Sequence, residues 1–447
     1  MKAASKEVLK REFLGHPVGL FILFLKERWE RFSFYGMRAL LVLFLVDNVR
    51  GGLGWTKENA LQLYGVYTMA VYIFSIIGGA LADKWMGKKL AVLYGAFLAC
   101  VGHFLLALQH EGLFMLGLCF IAGGTSLLKP NISALVGSLY PIGDKRRDGG
   151  FTIFYMGVNI GAVLAGLIIG GIGQNYGWHY GFGVAGIGML LGIGILLLGE
   201  KHLADVGNVV KKSIVSRTNQ NTKKSIIAQL TKKEKDRLLA LVISFIAIIS
   251  FFVAFEQAGG LMNLYTEQYT DRYVFGKEIP ASVFQSLNPF FVILLGPAVA
   301  IIWNYLTKKF TNISTFYKLG IGNIIVGIGF LFMIGAAMQL KRLDVTHSSL
   351  YWIVGAYLFH TIGELCISPV SLSFVSKLAP ERMGASIMGI YFAVVGLGNY
   401  FAAWLGKQSA QMGDLSVFQV IFWTSVTVGF LFVVLSKRLA ELSHNAE

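Results

Sequence analysis

The sequence predicts an all-α integral membrane protein with twelve transmembrane helices in two six-helix halves. Three observations predict it. First, 55% of the residues are hydrophobic and 14% are charged, whereas a soluble protein carries about 25% charged residues. Second, twelve apolar segments are each long enough to cross a bilayer. Third, one polar stretch, residues 200–237, holds ten Lys or Arg and no spanning run, and it leaves six segments on either side. The expected organisation is therefore an N-terminal bundle over 1–199, a cytoplasmic polar linker over 200–237 and a C-terminal bundle over 238–447.

In order, the segments run over 17–46, 60–82, 90–109, 113–139, 150–173, 180–199, 238–266, 281–306, 315–339, 348–377, 383–406 and 416–436. Fifty-three glycines against eight prolines suit close helix packing in lipid. Cys100, Cys119 and Cys366 all sit in apolar runs. An odd number of cysteines inside helices makes neither a disulfide framework nor a metal set. The first apolar run is long, carries charge inside it and meets no small-residue cleavage site, so no cleavable signal peptide is expected.

Lys and Arg in the loops set the orientation. If the N-terminus is cytoplasmic, the cytoplasmic segments hold 27 of the 39 Lys and Arg, the other side holds 7, and five lie inside spans. Both termini and the linker are thus expected in the cytoplasm, in a cytoplasmic (cell inner) membrane. The net charge of +15 then reflects membrane orientation, and no nucleic-acid partner is expected.

The first segment carries the strongest chemical signal. Glu27, Glu30, Arg31, Tyr35 and Arg38 follow one another at helical spacing, with apolar runs on both sides. A charge at the bilayer centre costs roughly 3 kcal/mol on insertion scales, so this column should face a water-filled cavity or a partner helix. A charged helix end would not keep apolar residues on both sides. Lone charges recur elsewhere: Lys129 before Pro130 in the fourth span, Glu256 in the seventh, and Glu364 five residues before Pro369 in the tenth. Asn159 lies in the fifth span, and Asn288-Pro289 and Pro297 in the eighth. Proline cannot donate to the helix ladder. Interrupted helices at Lys129-Pro130 and Glu364–Pro369 are therefore expected, at matching places in the two halves.

Other patterns carry less. Gly186-Ile-Gly188 and Gly192-Ile-Gly194 lie within a span and lack a preceding strand, so they read as helix packing. His360 stands four residues before Glu364, without the second histidine a metal site needs. No nucleophile elbow appears, and neither a metal, a cofactor nor an enzymatic centre is expected. Asn131-Ile-Ser133 and Asn312-Ile-Ser314 match a glycosylation triplet, but one lies in a span and the other on the cytoplasmic side. Asp83, in the glycine-rich turn that ends the second span, is placed to cap or pair with a helix end.

Several of these motifs resemble known signatures. Gly78-Gly79-Ala-Leu-Ala-Asp83 through Gly87-Lys88-Lys89 resembles the loop signature of the major facilitator superfamily. Glu27-x-x-Glu30-Arg31-Phe32-Ser-Phe-Tyr35-Gly is similar to the first-span motif of the proton-coupled oligopeptide transporter family. Phe154-Tyr155-Met-Gly-Val-Asn159-Ile-Gly161 resembles that family's fifth-span signature. Lys129-Pro130-Asn131, Phe255-Glu256-Gln257, Asn288-Pro289 and Gly363-Glu364 through Pro369 follow in the expected order, and the resemblance covers about residues 20–405. There are departures. Phe34 stands where the family often has tyrosine, and Val158 and Ala162 replace Ile and Ser. Many bacterial members resemble a fourteen-span plan with two extra helices between the halves, which this chain lacks.

The resemblance implies a major facilitator fold and a proton-coupled symporter that imports di- and tripeptides by alternating access. A proton-coupled carrier of another small anion, such as nitrate, is the competing reading. The peptide reading implies peptides, protons and the lipid bilayer as partners. It places proton coupling at Glu27, Glu30 and Glu364. Peptide binding falls to Arg31, Tyr35, Lys129, Asn159, Asn288 and Glu364, and gating to the pairs Arg38–Glu256 and Lys129–Glu364. Arg31 and Lys129 suit a peptide carboxylate, the first as a planar fork and the second as a point charge. Glu364 suits the peptide ammonium group.

Overall fold

Twelve long helices follow one another antiparallel in the computed structural model, which describes residues 11–141, 143–203, 206–207, 230–310, 313–380 and 383–444. The N-terminal half holds α1 (Val18–Val46), α2 (Lys57–Leu81), α3 (Lys88–Leu106), α4 (Glu111–Ser138), α5 (Arg147–Leu164) and α6 (Trp178–Gly199). The C-terminal half holds α7 (Lys232–Phe255), α8 (Leu287–Lys309), α9 (Thr315–Leu343), α10 (Leu350–Leu378), α11 (Gly384–Lys407) and α12 (Asp414–Ser443). Eleven of these, with their extensions, are long and apolar enough to cross a membrane. The exception, α1, is 29 residues long and carries six charged residues. The helices' ends form two faces. The terminal face carries the start of α1, the end of α6, the start of α7 and the end of α12; the opposite face carries the α1–α2 loop.

Local chemistry sets the helix ends. Thr56 and Ser314 cap α2 and α9 by accepting from the amides of Asn59 and Tyr317. Thr231 and Glu234 form a capping box, so α7 starts at Lys232, six residues before the expected boundary at 238. Most of the expected linker lies outside the described residues, as does Asn312 of one glycosylation triplet.

The prolines behave differently from expectation. α4, α8 and α10 run unbroken through Pro130, Pro297 and Pro369. In α4 the carbonyl that Pro130 leaves free is that of Ser126. It lies directly against Gly78 of α2, where a side chain would have no room. The neighbouring helix fills the gap, so the helix need not open. The backbone departs from α geometry elsewhere. α7 passes into a 3₁₀ turn at Glu256–Gly259, bends at Gly260 and resumes at Leu261–Tyr269. A 3₁₀ segment, Ala281–Ser286, leads into α8 just before Asn288. α5 continues through a π-helical stretch, Ala165–Gly170.

Each half has its own core. Phe251, Phe316, Phe330, Phe374 and Phe418 centre the C-terminal one. In the N-terminal half, Phe44, Phe114, Trp178 and Phe182 pack at the opposite face. α5 approaches α1 so closely at Gly161 that a Cβ there would collide with the carbonyl of Arg28. That approach buries the charged stretch of α1.

Candidate functional site

A cavity of about 310 Å³ lies between the two halves, within the size range of small-ligand clefts. Its walls combine Tyr35 and Arg38 of α1, Lys129 of α4 and Asn159 of α5 with Glu256, Asn288 and Glu364 of the other half. Both halves thus contribute polar groups to one apolar-walled chamber.

Arg38 and Glu256 meet across the halves. Arg38 donates to Glu256 Oε2 at 2.5 Å and to the Tyr64 hydroxyl at 2.7 Å, and Tyr64 donates to Glu256 at 3.3 Å. Glu256 is 3% exposed, so this pair is held in a dry setting where losing one partner costs about 3–5 kcal/mol. The 3₁₀ turn of α7 is what aims Glu256 at α1.

Further polar contacts join the halves, and they gather between this level and the opposite face. Asn263 donates to the Ala39 carbonyl at 2.9 Å, and Arg50 pairs with Glu267 at 3.0 Å. Gln174 receives the Ser282 hydroxyl at 2.6 Å, and Lys57 pairs with Asp414 at 2.6 Å.

Lys129 and Glu364 are held differently. The Lys129 ammonium lies 3.7 Å from the Tyr72 ring centroid, a cation–π contact. Glu364 accepts from Asn288 Nδ2 at 2.8 Å, and Asn288 also donates to Thr361 Oγ1 at 3.0 Å. No ion pair between Lys129 and Glu364 is formed among the described residues, contrary to the expected gating pair. They stand on opposite walls of the cavity, and each has found a partner in its own half. Asn159 donates to the Tyr155 carbonyl at 2.9 Å while lining the cavity.

Glu27, Glu30 and Arg31 form a separate cluster. Arg31 Nε lies 2.9 Å from Glu27 Oε1 and 2.5 Å from Glu30 Oε2. None of the three lines the cavity here, although Arg31 was expected to receive a peptide carboxylate. Its guanidinium is occupied by its two neighbours on α1, while Tyr35, one turn on, reaches the chamber.

Sequence reasoning missed Tyr64, Tyr72 and Gln285. Tyr64 braces the Arg38–Glu256 pair and Tyr72 supports Lys129. Gln285 lines the cavity and donates to the Ala258 carbonyl and to Tyr357. A signal was present for two of them: Tyr64, Tyr67, Val71 and Tyr72 recur at helical spacing along one side of α2, and a phenol inside a span needs a polar partner.

Comparison with known proteins bears on this arrangement. The family model of the Major Facilitator Superfamily matches residues 31–403. The peptide transporter YePEPT of Yersinia enterocolitica is 37% identical, over 89% of this chain and 88% of that protein. A di-/tripeptide transporter of Lactococcus lactis is 30% identical, over 97% and 98%. Among solved structures, a mutant of the peptide transporter POT in complex with alafosfalin superposes with a TM-score of 0.90 at 32% identity, over 99% of both chains. With its two six-helix halves and charged interdomain cavity, this multi-pass membrane transporter belongs to the proton-coupled oligopeptide transporter family of the major facilitator superfamily.

Proposed function

We propose that this protein is a proton-driven symporter that imports di- and tripeptides across the cytoplasmic membrane by alternating access. The observation that carries this reading is the cavity with an ammonium from one half and a carboxylate from the other, neither tied to an opposite charge. A short peptide is a zwitterion, and its two ends fit those two walls. In this reading Lys129 binds the carboxylate, Glu364 binds the ammonium group, and Tyr35, Asn159 and Asn288 add hydrogen bonds. Arg31 leaves Glu27 and Glu30 for the substrate carboxylate, and one of the two glutamates takes up a proton in its place.

The loop count of 27 Lys and Arg against 7 supports a cytoplasmic terminal face, with both termini and the linker inside. The polar contacts on the opposite side of the cavity then close the outer gate, with Arg38–Glu256 at its base. Lys129 and Glu364 pair in another state of the cycle, when the halves close below an empty cavity. A peptide replaces each partner, so the halves separate without stranding a charge. The division into bundles at 1–199 and 238–447 fits such rocking. No bond is made or broken in the substrate, and the role is transport alone. Relatives described as peptide and di-/tripeptide transporters support the substrate class. Nitrate fits the chamber less well, because Glu364 would repel it.

The test is uptake of labelled dialanine into proteoliposomes, with and without an inward proton gradient. Accumulation that requires the gradient and yields to excess trialanine but not to nitrate is expected. Competition by nitrate alone would overturn the peptide reading.

A further inference from the structure

Glu27, Glu30 and Arg31 belong to the recognised first-span motif, but a fourth charge stands beside them. Lys26 is completely buried, with 0% exposure. Among the described residues, its ammonium lies 3.6 Å from Glu27 Oε2, an ion pair too long for a hydrogen bond. Glu27, Glu30 and Arg31 are 3%, 0% and 5% exposed. We propose that Lys26 is a positioning residue for proton coupling: its fixed positive charge balances the cluster, so that release of Arg31 is the event that draws in a proton.

The argument is a count of charges in a dry place. Lys26 and Arg31 supply two positive charges and Glu27 and Glu30 two negative ones, all within two helical turns. An isolated ionised group in such a setting costs several kcal/mol, so a buried cluster settles at neutrality. With all four ionised the cluster is neutral and holds no extra proton. When Arg31 turns to a substrate carboxylate, one carboxylate is left in excess, and a proton restores neutrality. Without Lys26 the cluster would be one anion in excess even with Arg31 in place, and it would hold a proton before substrate arrives.

Neighbouring helices offer little else to do this. Tyr67 and Tyr72 of α2 and Lys129 of α4 interact electrostatically with Glu30 or Arg31. Lys129 is held in the cavity wall over Tyr72, and the tyrosines are neutral. On α1 itself, Arg28 lies over the Trp29 ring at 5.4 Å, and Tyr35 lies 6.0 Å from the Arg31 guanidinium. α5 and α6 meet this stretch with Gly157, Gly161, Gly188 and Gly192. Among the described residues, the cations within 4 Å of these carboxylates are Lys26 and Arg31.

The inference rests on the peptide-symport reading, and two measurements separate them. The first is dialanine exchange between equal pools, which needs no proton gradient. The second is gradient-driven uptake across a series of external pH values. Lys26→Met is expected to keep exchange and to move the pH midpoint of uptake upward by about one unit, a tenfold change in proton concentration. Lys26→Arg, which restores the charge, returns the midpoint to the wild-type value. An unchanged midpoint in Lys26→Met with exchange intact overturns the role of Lys26 and leaves the peptide reading standing. Absence of exchange in the wild type defeats the peptide reading, and this inference falls with it. If Lys26→Met yields no folded carrier, the neutral double variant Lys26→Met/Glu27→Gln is expected to recover it by size-exclusion chromatography. Failure of both variants to fold overturns the charge-balance account.

Discussion

The charges that join the two halves and the lone charges of the central cavity are held in opposite ways. Across the two halves, Arg38 in the cavity wall meets the buried Glu256, and toward the opposite face the exposed Arg50 meets Glu267 and Lys57 meets Asp414. In the cavity, Lys129 rests on an aromatic ring and Glu364 on an amide. A buried charge with a full counter-charge has no need of a ligand. A buried charge with only a neutral partner gains from one. On the proposed reading, the contrast separates the groups that hold a conformation from the groups that await a substrate.

The contrast breaks most visibly at Arg38–Glu256. Reversing either charge, as Arg38→Glu or Glu256→Arg, places like charges in a dry contact braced by Tyr64. Gradient-driven uptake is expected to fall more than a hundredfold, in keeping with a loss of about 3–5 kcal/mol. The double reversal should recover part of it. Well-folded proteins without rescue would remove this pair from the gate.

Next in size is the cavity itself. A hydrogen bond to a charged group contributes about 1.5–3 kcal/mol. Glu364→Gln is accordingly expected to weaken a free-amine dipeptide by roughly ten- to a hundredfold in calorimetry on purified protein, and to leave an amine-blocked dipeptide unchanged. Equal losses for both ligands would show that Glu364 does not read the peptide amine.

Tyr72 gives a smaller and sharper test of the Lys129 wall. Cation–π contacts contribute about 0.5–1 kcal/mol at exposed sites and more when dry. Tyr72→Leu should weaken a free-acid dipeptide by about two- to fivefold, whereas Tyr72→Phe keeps the ring face and should bind as wild type. An effect as large in the phenylalanine variant would assign the role to the hydroxyl.

How much of this was legible beforehand follows from the physics of each residue. The spans were legible because lipid demands long apolar runs, and observed helix ends lie within a few residues of most expected ones. Two ends depart most: α7 starts at Lys232 because a capping box extends it past the apolar stretch, and α12 runs on to Ser443, seven residues past the expected 436. Charged residues in spans were legible because insertion penalises each one. The state of those charges was not. Whether Arg31 faces the cavity or its own helix, and whether Lys129 meets Glu364 or Tyr72, is set by side-chain packing that spacing along one helix does not encode. Proline positions misled for a similar reason: Pro130 would open an isolated helix, but Gly78 of α2 fills the space beside it. The bend that positions Glu256 lies at Gly259 and Gly260, where no proline marks it.

The smallest expected effect tests whether the closed end is uniform. Asp47 ends α1 and accepts from Trp178 Nε1 at 2.8 Å, Arg50 N at 2.9 Å and Gly52 N at 3.1 Å. Burial alone would raise its carboxyl, but these donors and the Arg50 charge outweigh burial and hold it below the usual carboxylate range. These contacts lie within the N-terminal half, so Asp47 braces the loop and moves with it. A carboxyl depressed on folding adds stability that is present above its unfolded value and lost as pH falls through the folded one. In detergent, Asp47→Asn is therefore expected to lower stability by about 1 kcal/mol at pH 7. The gap from wild type should close as pH falls through the carboxyl's depressed folded-state range, while dialanine uptake at neutral pH changes less than twofold. A large loss of uptake at unchanged stability would instead make Asp47 part of the moving gate, and the closed end would then act as one unit.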